Sequence, residues 1–294
     1  MSGIEMTETR IAGGPFLLAD TLTYVYTNDS DFAAVVRWSF QDLLPVTGEA
    51  TDGPTVRFDV LLRHGPEPIW GVWRDRELCE ETDQAGYVLF HLQWEFNRVV
   101  LERRDATIHA AAVEVDGRCL IFSGSSMSGK TTLAGWMVAH GARYIADEIV
   151  ALRPDGQAMP YRRPLGLRHG GPLEPHFTHP GNFDRRFDTY EMLVPVSCLG
   201  SGEMTDGVVP VGGIVFPVYS PETPTALDPL PKAVALERLC NNSPGLARHG
   251  RSVFRLFADL VSRVRTVELR TSDLYQARDM LNELLRESVE HSDG

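Results

Sequence analysis

Apolar residues recur at helical spacing from about Gly86 to Arg103, through Val88, Leu89, Leu92, Phe96, Val99, Val100 and Leu101. That pattern predicts a long helix whose aromatics belong to a core. Ahead of it, Thr21–Tyr26, Val56–Arg63 and Ile69–Trp73 read as strands. A helical stretch, Asp31–Leu44, opens after Asn28-Asp29-Ser30, and the polar stretch Thr47–Pro54 reads as a loop. Residues 1–103 are thus expected to form a small α+β region. It bears no chemical motif, so substrate recognition and simple packing are both open to it. Beyond it the pattern changes. Cys119–Ser123 is a short apolar run that suits a buried parallel strand, and Thr132–His140 has helical spacing up to Gly141. Arg143–Glu148 reads as a strand and residues 149–161 as a hairpin around Pro154-Asp155-Gly156. Residues 208–219 form a buried strand interrupted by prolines, residues 233–242 and 252–264 are helical, and 265–270 is a strand. An amphipathic helix begins at Ser272. Strands alternating with helices predict an α/β fold with a mixed sheet over residues 104–294.

One segment has no periodicity. From His169 to Asp188 the chain is rich in Gly, Pro, His and charge, which suits a lid or a binding loop. His169, His176 and His179 invite a metal-site reading, but no cysteine pair or H-E-x-x-H helix accompanies them. A lid over nucleotide or acceptor is the preferred reading.

Chemistry enters between the apolar strand and the helix. Gly124, Ser125, Ser126, Met127, Ser128, Gly129, Lys130 and Thr131 match G-x-x-x-x-G-K-[ST], with Thr132 following into the helix. Of 28 Lys+Arg residues only Lys130 and Lys232 are lysine, and one of them occupies the position that needs a compact ammonium on a long stem. Strand, glycine loop and helix together point backbone N–H groups at an anion. Lys130 would then reach the β- and γ-phosphates of a nucleoside triphosphate, and Thr131 would ligate Mg²⁺. About sixteen residues on, Asp147 and Glu148 stand at the carboxyl end of a strand, where ligands gather in open α/β sheets. One acid would hold the Mg²⁺, and the other could take the proton of an attacking hydroxyl. Neighbouring strand residues face opposite ways, so both can serve only where the strand ends or bulges.

The stretch "HAAAVEVDGRCLIFSGSSMSGKTTLAGWMVAHGARYIADE" resembles the catalytic core of HPr kinase/phosphorylase and its relatives. The resemblance covers roughly residues 105–170 strongly and the rest of the C-terminal part loosely. His109 matches the histidine that opens that core, Asp147 the first acid and Glu148 the second, where the bifunctional bacterial enzymes have aspartate. Glutamate moves the carboxylate one methylene outward; kinase chemistry tolerates that, and whether phosphorolysis does is left open. "YRRPLGLR" is similar to the family's Arg-Gly-Leu-Gly segment, with Arg163 and Gly166 nearest. The resemblance implies a P-loop kinase core of the HPr kinase type. It implies ATP as donor, Mg²⁺ held by Thr131 and Asp147, and catalytic roles for Lys130, Asp147, Glu148 and His109. Arg163 could meet charge on the transferred group, and homo-oligomers occur in the family.

Composition narrows the remainder. A chain of 294 residues, 43% hydrophobic and 23% charged, suits one large or two modest globular domains. Cys79, Cys119, Cys198 and Cys240 are scattered without C-x-x-C spacing, which favours a reducing, cytoplasmic setting. The N-terminus lacks the basic and apolar regions of a signal peptide. No apolar run approaches the roughly 18 residues of a membrane span. A net charge of −12 disfavours nucleic acid as a partner. The expected function is an ATP-dependent kinase acting on a hydroxyl, foremost a Ser or Thr of a protein or precursor peptide. A small hydroxylated molecule such as free serine is the alternative acceptor, and a non-catalytic, nucleotide-gated regulatory module is the alternative class.

Overall fold

The computed structural model describes residues 10–45, 53–177, 185–187 and 191–290. Residues 47–52 of the expected loop, and His179, lie outside them. The chain divides into two compact units, Met1–Arg103 with Thr178–Pro195, and Arg104–Phe177 with Val196–Gly294.

The first unit is a five-stranded sheet with two helices. β1 (Arg10–Leu18) and β2 (Thr21–Thr27) form an antiparallel pair, and α1 (Ser30–Ser39) carries the chain to β3 (Thr55–Arg63), parallel to β2. β4 (Ile69–Arg74) and β5 (Glu77–Thr82) complete the sheet antiparallel, in the order β1-β2-β3-β4-β5. Asp29 caps α1, its carboxylate accepting from the Phe32 N–H at 2.7 Å. The helix expected to reach Leu44 ends at Ser39, and a 3₁₀ turn over Gln41–Leu43 follows. α2 (Ala85–Arg103) lays Val88, Leu89, Leu92, Phe96, Val99 and Val100 into the core. Phe96 sits 4.9 Å from Phe40, 5.5 Å from Phe58 and 5.9 Å from Phe16, centroid to centroid. Phe187, from the segment read as a lid, packs 5.3 Å from Phe32 and 5.7 Å from Trp70. β1 and β5 are edge strands, which need no inward-outward alternation; β5 reads Glu-Leu-Cys-Glu-Glu-Thr and is largely exposed.

The second unit is built on a nine-stranded mixed sheet. In chain order come β6 (Ala106–Ile108), β7 (Ala110–Val115), β8 (Arg118–Ser123), α3 (Lys130–Ala139), β9 (Arg143–Ala146), β10 (Val150–Leu152), β11 (Gln157–Met159) and β12 (Leu165–Arg168). After the excursion into the first unit, which carries β13 (Glu191–Val194), follow β14 (Val209–Tyr219), β15 (Ala226–Pro229), α4 (Lys232–Asn241), α5 (Pro244–His249), α6 (Arg251–Arg263), β16 (Arg265–Thr271) and α7 (Leu274–Glu290). β14 is the spine. It runs parallel to β8 on one side, and on the other pairs first with β11, antiparallel, and then with β16, parallel. α7 is capped by Asp273, one residue past the expected Ser272; its carboxylate accepts from the N–H groups of Tyr275 and Gln276 at 2.8 and 3.0 Å. Among the described residues, no helix is long and apolar enough to cross a membrane.

Candidate active site

Sheet register assembles the site. β7 runs antiparallel to β8, with Ala110 opposite Ser123, and antiparallel to β9, with Ala112 opposite Ala146. β8 and β9 therefore end at the edge where β7 begins. The residues just outside those three strands, His109, Gly124 and Asp147, meet at one edge although up to 38 positions separate them in the chain.

The loop from β8 to α3 is an anion-type cradle. Met127 and Gly129 both have left-handed backbones, φ +67° and +96°, and Ser128 N–H donates to Ser125 O at 3.3 Å. Alternating right- and left-handed residues turn successive N–H groups toward one concavity. Gly129 has no side chain to cap α3, and among the described residues no side chain is seen to accept from the N–H groups of its first turn. Among the described residues Ser128 Oγ, which is buried, has no hydrogen-bond partner, and a Cβ on Gly124 would stand 3.0 Å from it. Lys130 is 5% exposed and folds back on the loop, donating to the carbonyls of Gly124 and Ser125 at 3.0 and 2.9 Å. Burial lowers its pKa, against the pull of Glu148 and Asp147.

The two acids follow β9 and point to different tasks. Thr131 Oγ1 donates to Asp147, 3.1 Å from each carboxylate oxygen. Asp147 is 1% exposed, and burial pushes its carboxyl up to about 6 although the Arg163 guanidinium pulls the other way. Arg163 is itself buried, with Nη1 3.5 Å from Asp147 O, and its carbonyl accepts from Tyr144 Oη at 3.0 Å. β9 stops at Ala146, so the alternation of a strand no longer holds the two acids apart. Glu148 instead takes a left-handed backbone, φ +64°, and Ile149 N–H bonds Asp147 O at 2.8 Å across it. This three-residue turn with positive φ at its centre is rare and strained for a residue with a side chain.

Turned out this way, Glu148 is partly exposed and sets Oε2 3.3 Å from His109 Nδ1. The same ring nitrogen lies 3.2 Å from Glu148 O, a carbonyl that can only accept, which assigns the proton to Nδ1. Burial lowers the pKa of His109; Glu148 opposes that, while Lys130 and Arg163 add to it. His109 N–H donates to Asn242 O at 2.7 Å, and Asn242 Nδ2 reaches Ser123 Oγ at 3.5 Å.

The structure thus gathers Gly124 to Thr132, His109, Asp147 and Glu148 around one edge, with Arg163 buried beside the acids. His176 lies among other rings. His176 packs edge-on to Trp136 at 5.0 Å and 5.3 Å from His140. Among the described residues, no group of three or more His, Cys, Asp and Glu is placed to hold a metal ion by itself. Asn242 and Tyr144 carried no sequence signal: one reads as a helix end and the other as a strand aromatic.

No family model matches the chain, and no curated protein matches it. Among solved structures it is similar to the HPr(Ser) kinase/phosphatase from Coxiella burnetii, at 11% identity and a TM-score of 0.31, covering 64% of this chain and 99% of that one. The likeness is distant, and what the site can do follows from its own residues.

Proposed function

We propose that this chain transfers a phosphoryl group from a nucleoside triphosphate, ATP first among them, to a hydroxyl. The observation that carries the reading is the division of labour between adjacent acids: Asp147 buried against Thr131, Glu148 turned outward onto His109. A binding module needs the first and has no use for the second.

The residues fit both donor and metal. Among the described residues the cradle offers uncapped N–H groups, an unpartnered Ser128 hydroxyl and a lysine that donates to loop carbonyls. A buried acid held mainly by one hydroxyl, with its pKa raised, is a ligand that a divalent cation would return to its charged form. Thr131 and Asp147 would hold Mg²⁺, which neutralises phosphate charge when bound.

Glu148 accepts the proton of the acceptor hydroxyl as its oxygen bonds to the γ-phosphorus, and the bond to the departing nucleoside diphosphate breaks. His109 orients that carboxylate through Nδ1–H. Lys130 meets the charge on the phosphates. Arg163, buried with Nη1 beside the Asp147 carbonyl, positions that acid and opposes the burial that raises its pKa. The acceptor in this reading is a Ser or Thr hydroxyl of a protein or precursor peptide.

The test is product formation. Incubated with Mg²⁺ and ATP, the chain should add phosphate, read by mass, to a member of a panel of Ser/Thr peptides, free serine and other small alcohols. Lys130→Met should abolish product with an unchanged far-ultraviolet circular dichroism spectrum. A product on free serine alone would move the acceptor class to small molecules. Undiminished transfer by Lys130→Met would overturn the reading.

A further inference from the structure

The unassigned first unit carries a surface feature that the phosphoryl-transfer reading does not use. α2 is two-faced in an unusual way. Its inner face is buried, and the opposite face carries Tyr87, Phe90, His91 and Trp94, a spacing that lines them up along one stripe. Tyr87 is 40%, Phe90 38% and Trp94 56% exposed. The Phe90 and Tyr87 rings lie 6.0 and 6.3 Å from His91, so the first two turns form a continuous aromatic surface. A helix packed on a sheet ordinarily turns polar residues to solvent. Three half-exposed aromatics in a row form an apolar patch of the size that is often functional.

We propose that this face docks a short basic peptide segment bearing large apolar side chains. Area speaks for a segment. The exposed parts of the three aromatics amount to on the order of 300 Å², well under the roughly 800 Å² per partner of a stable globular interface. Charge speaks for a basic one. α2 packs on β4 and β5, and β5 with the turn after it exposes Glu77, Glu80, Glu81 and Asp83. Glu81 is answered by Arg63 and Glu102 by Arg74, but among the described residues no ion pair engages Glu77, Glu80 or Asp83. The basic residue on the outer face, Arg98, is taken by Glu95 at 2.8 Å. A second copy of a chain with net charge −12 would bring the same acids together, and an anionic lipid surface would meet the same repulsion. Lys or Arg beside Leu, Ile or aromatic side chains satisfies both halves of the surface, the apolar part filling the stripe as an anchor.

The inference is independent of catalysis and is tested on the full chain by binding alone. The probe is a fluorescently labelled helical peptide of leucine and lysine, with leucines at i, i+3, i+4 spacing, and its leucine–glutamate counterpart is the control. Anisotropy should show the lysine peptide binding at least about tenfold more tightly than the glutamate peptide. The double variant Phe90→Ser/Trp94→Ser, at positions exposed enough to leave the fold intact by circular dichroism, should weaken that binding at least about tenfold. Equal binding by the double variant would overturn the proposal, since it would reduce the attraction to bulk charge, and equal binding of the two peptides would do the same. So would a wild-type dimer in sedimentation that the double variant dissolves. Variant-sensitive binding to neutral phosphatidylcholine vesicles would replace the peptide with a membrane and overturn it equally.

Discussion

Glu148 offers the sharpest quantitative prediction, because its backbone and side chain pull in opposite directions. A residue with a Cβ pays about 1–2 kcal/mol to hold a left-handed conformation, and glycine does not. Elsewhere in a chain the comparison runs the other way: alanine is about 0.4–1 kcal/mol more stable than glycine because it has fewer unfolded conformations to lose. Comparing Glu148→Gly with Glu148→Ala cancels the carboxylate, which both lack, along with its contact to His109. What remains is the strain at φ +64° less the unfolded-state term. Glu148→Gly should therefore be the more stable of the two by about 1 kcal/mol, a sign opposite to that of an ordinary position. Urea unfolding of both variants, followed by circular dichroism, reads this as a higher midpoint at unchanged slope. Both variants should bind nucleotide within about threefold of wild type and lose transfer, since only the proton acceptor has gone. An alanine variant as stable as the glycine variant would refute the strained turn.

Asp147 predicts a pH dependence. Its folded pKa, about 6, lies above its ordinary value of 3.8, so protonated Asp147 contributes stability below pH 3.8 that is lost as the pH rises through about 6. Metal-bound nucleotide needs the ionised form, so calorimetric affinity should fall about tenfold per unit below pH 6, and Asp147→Asn, tight at no pH, should lack that slope. A wild-type slope no steeper than the variant's would contradict the placement of the metal. Phe187→Ala should destabilise the first unit by about 3–5 kcal/mol in urea, and a loss under about 1 kcal/mol would show that Phe187 is not core. Asp29→Ala should cost about 1 kcal/mol by removing the α1 cap, read in the same experiment; no loss would mean the cap contributes nothing.

What could be read from sequence was what is local. The cradle is eight consecutive residues, α2 and β8 declare themselves by apolar patterning, and β14 does so despite its prolines. Proximity created by register was not readable without structure: nothing adjacent to Asn242 says that its carbonyl will hold the His109 backbone. Glu148 is a subtler case. Its carboxylate invited a catalytic reading, but no glycine announces the left-handed turn that separates it from Asp147. β5 was missed because an edge strand tolerates polar residues on both faces. The segment from His169 to Asp188, aperiodic and polar, gave no sign that Phe187 packs in the aromatic core of the first unit.

On the proposed function, Glu148 is what makes a phosphoryl transferase of a nucleotide-binding loop. Single-turnover transfer from γ-labelled ATP, measured for wild type and Glu148→Gln under saturating nucleotide, tests it directly. Wild type should place label on an acceptor hydroxyl, and Glu148→Gln should lose at least about a hundredfold in rate with nucleotide affinity nearly unchanged. Nucleotide binding by both proteins with equal rates, or with no labelled hydroxyl from either, would contradict it.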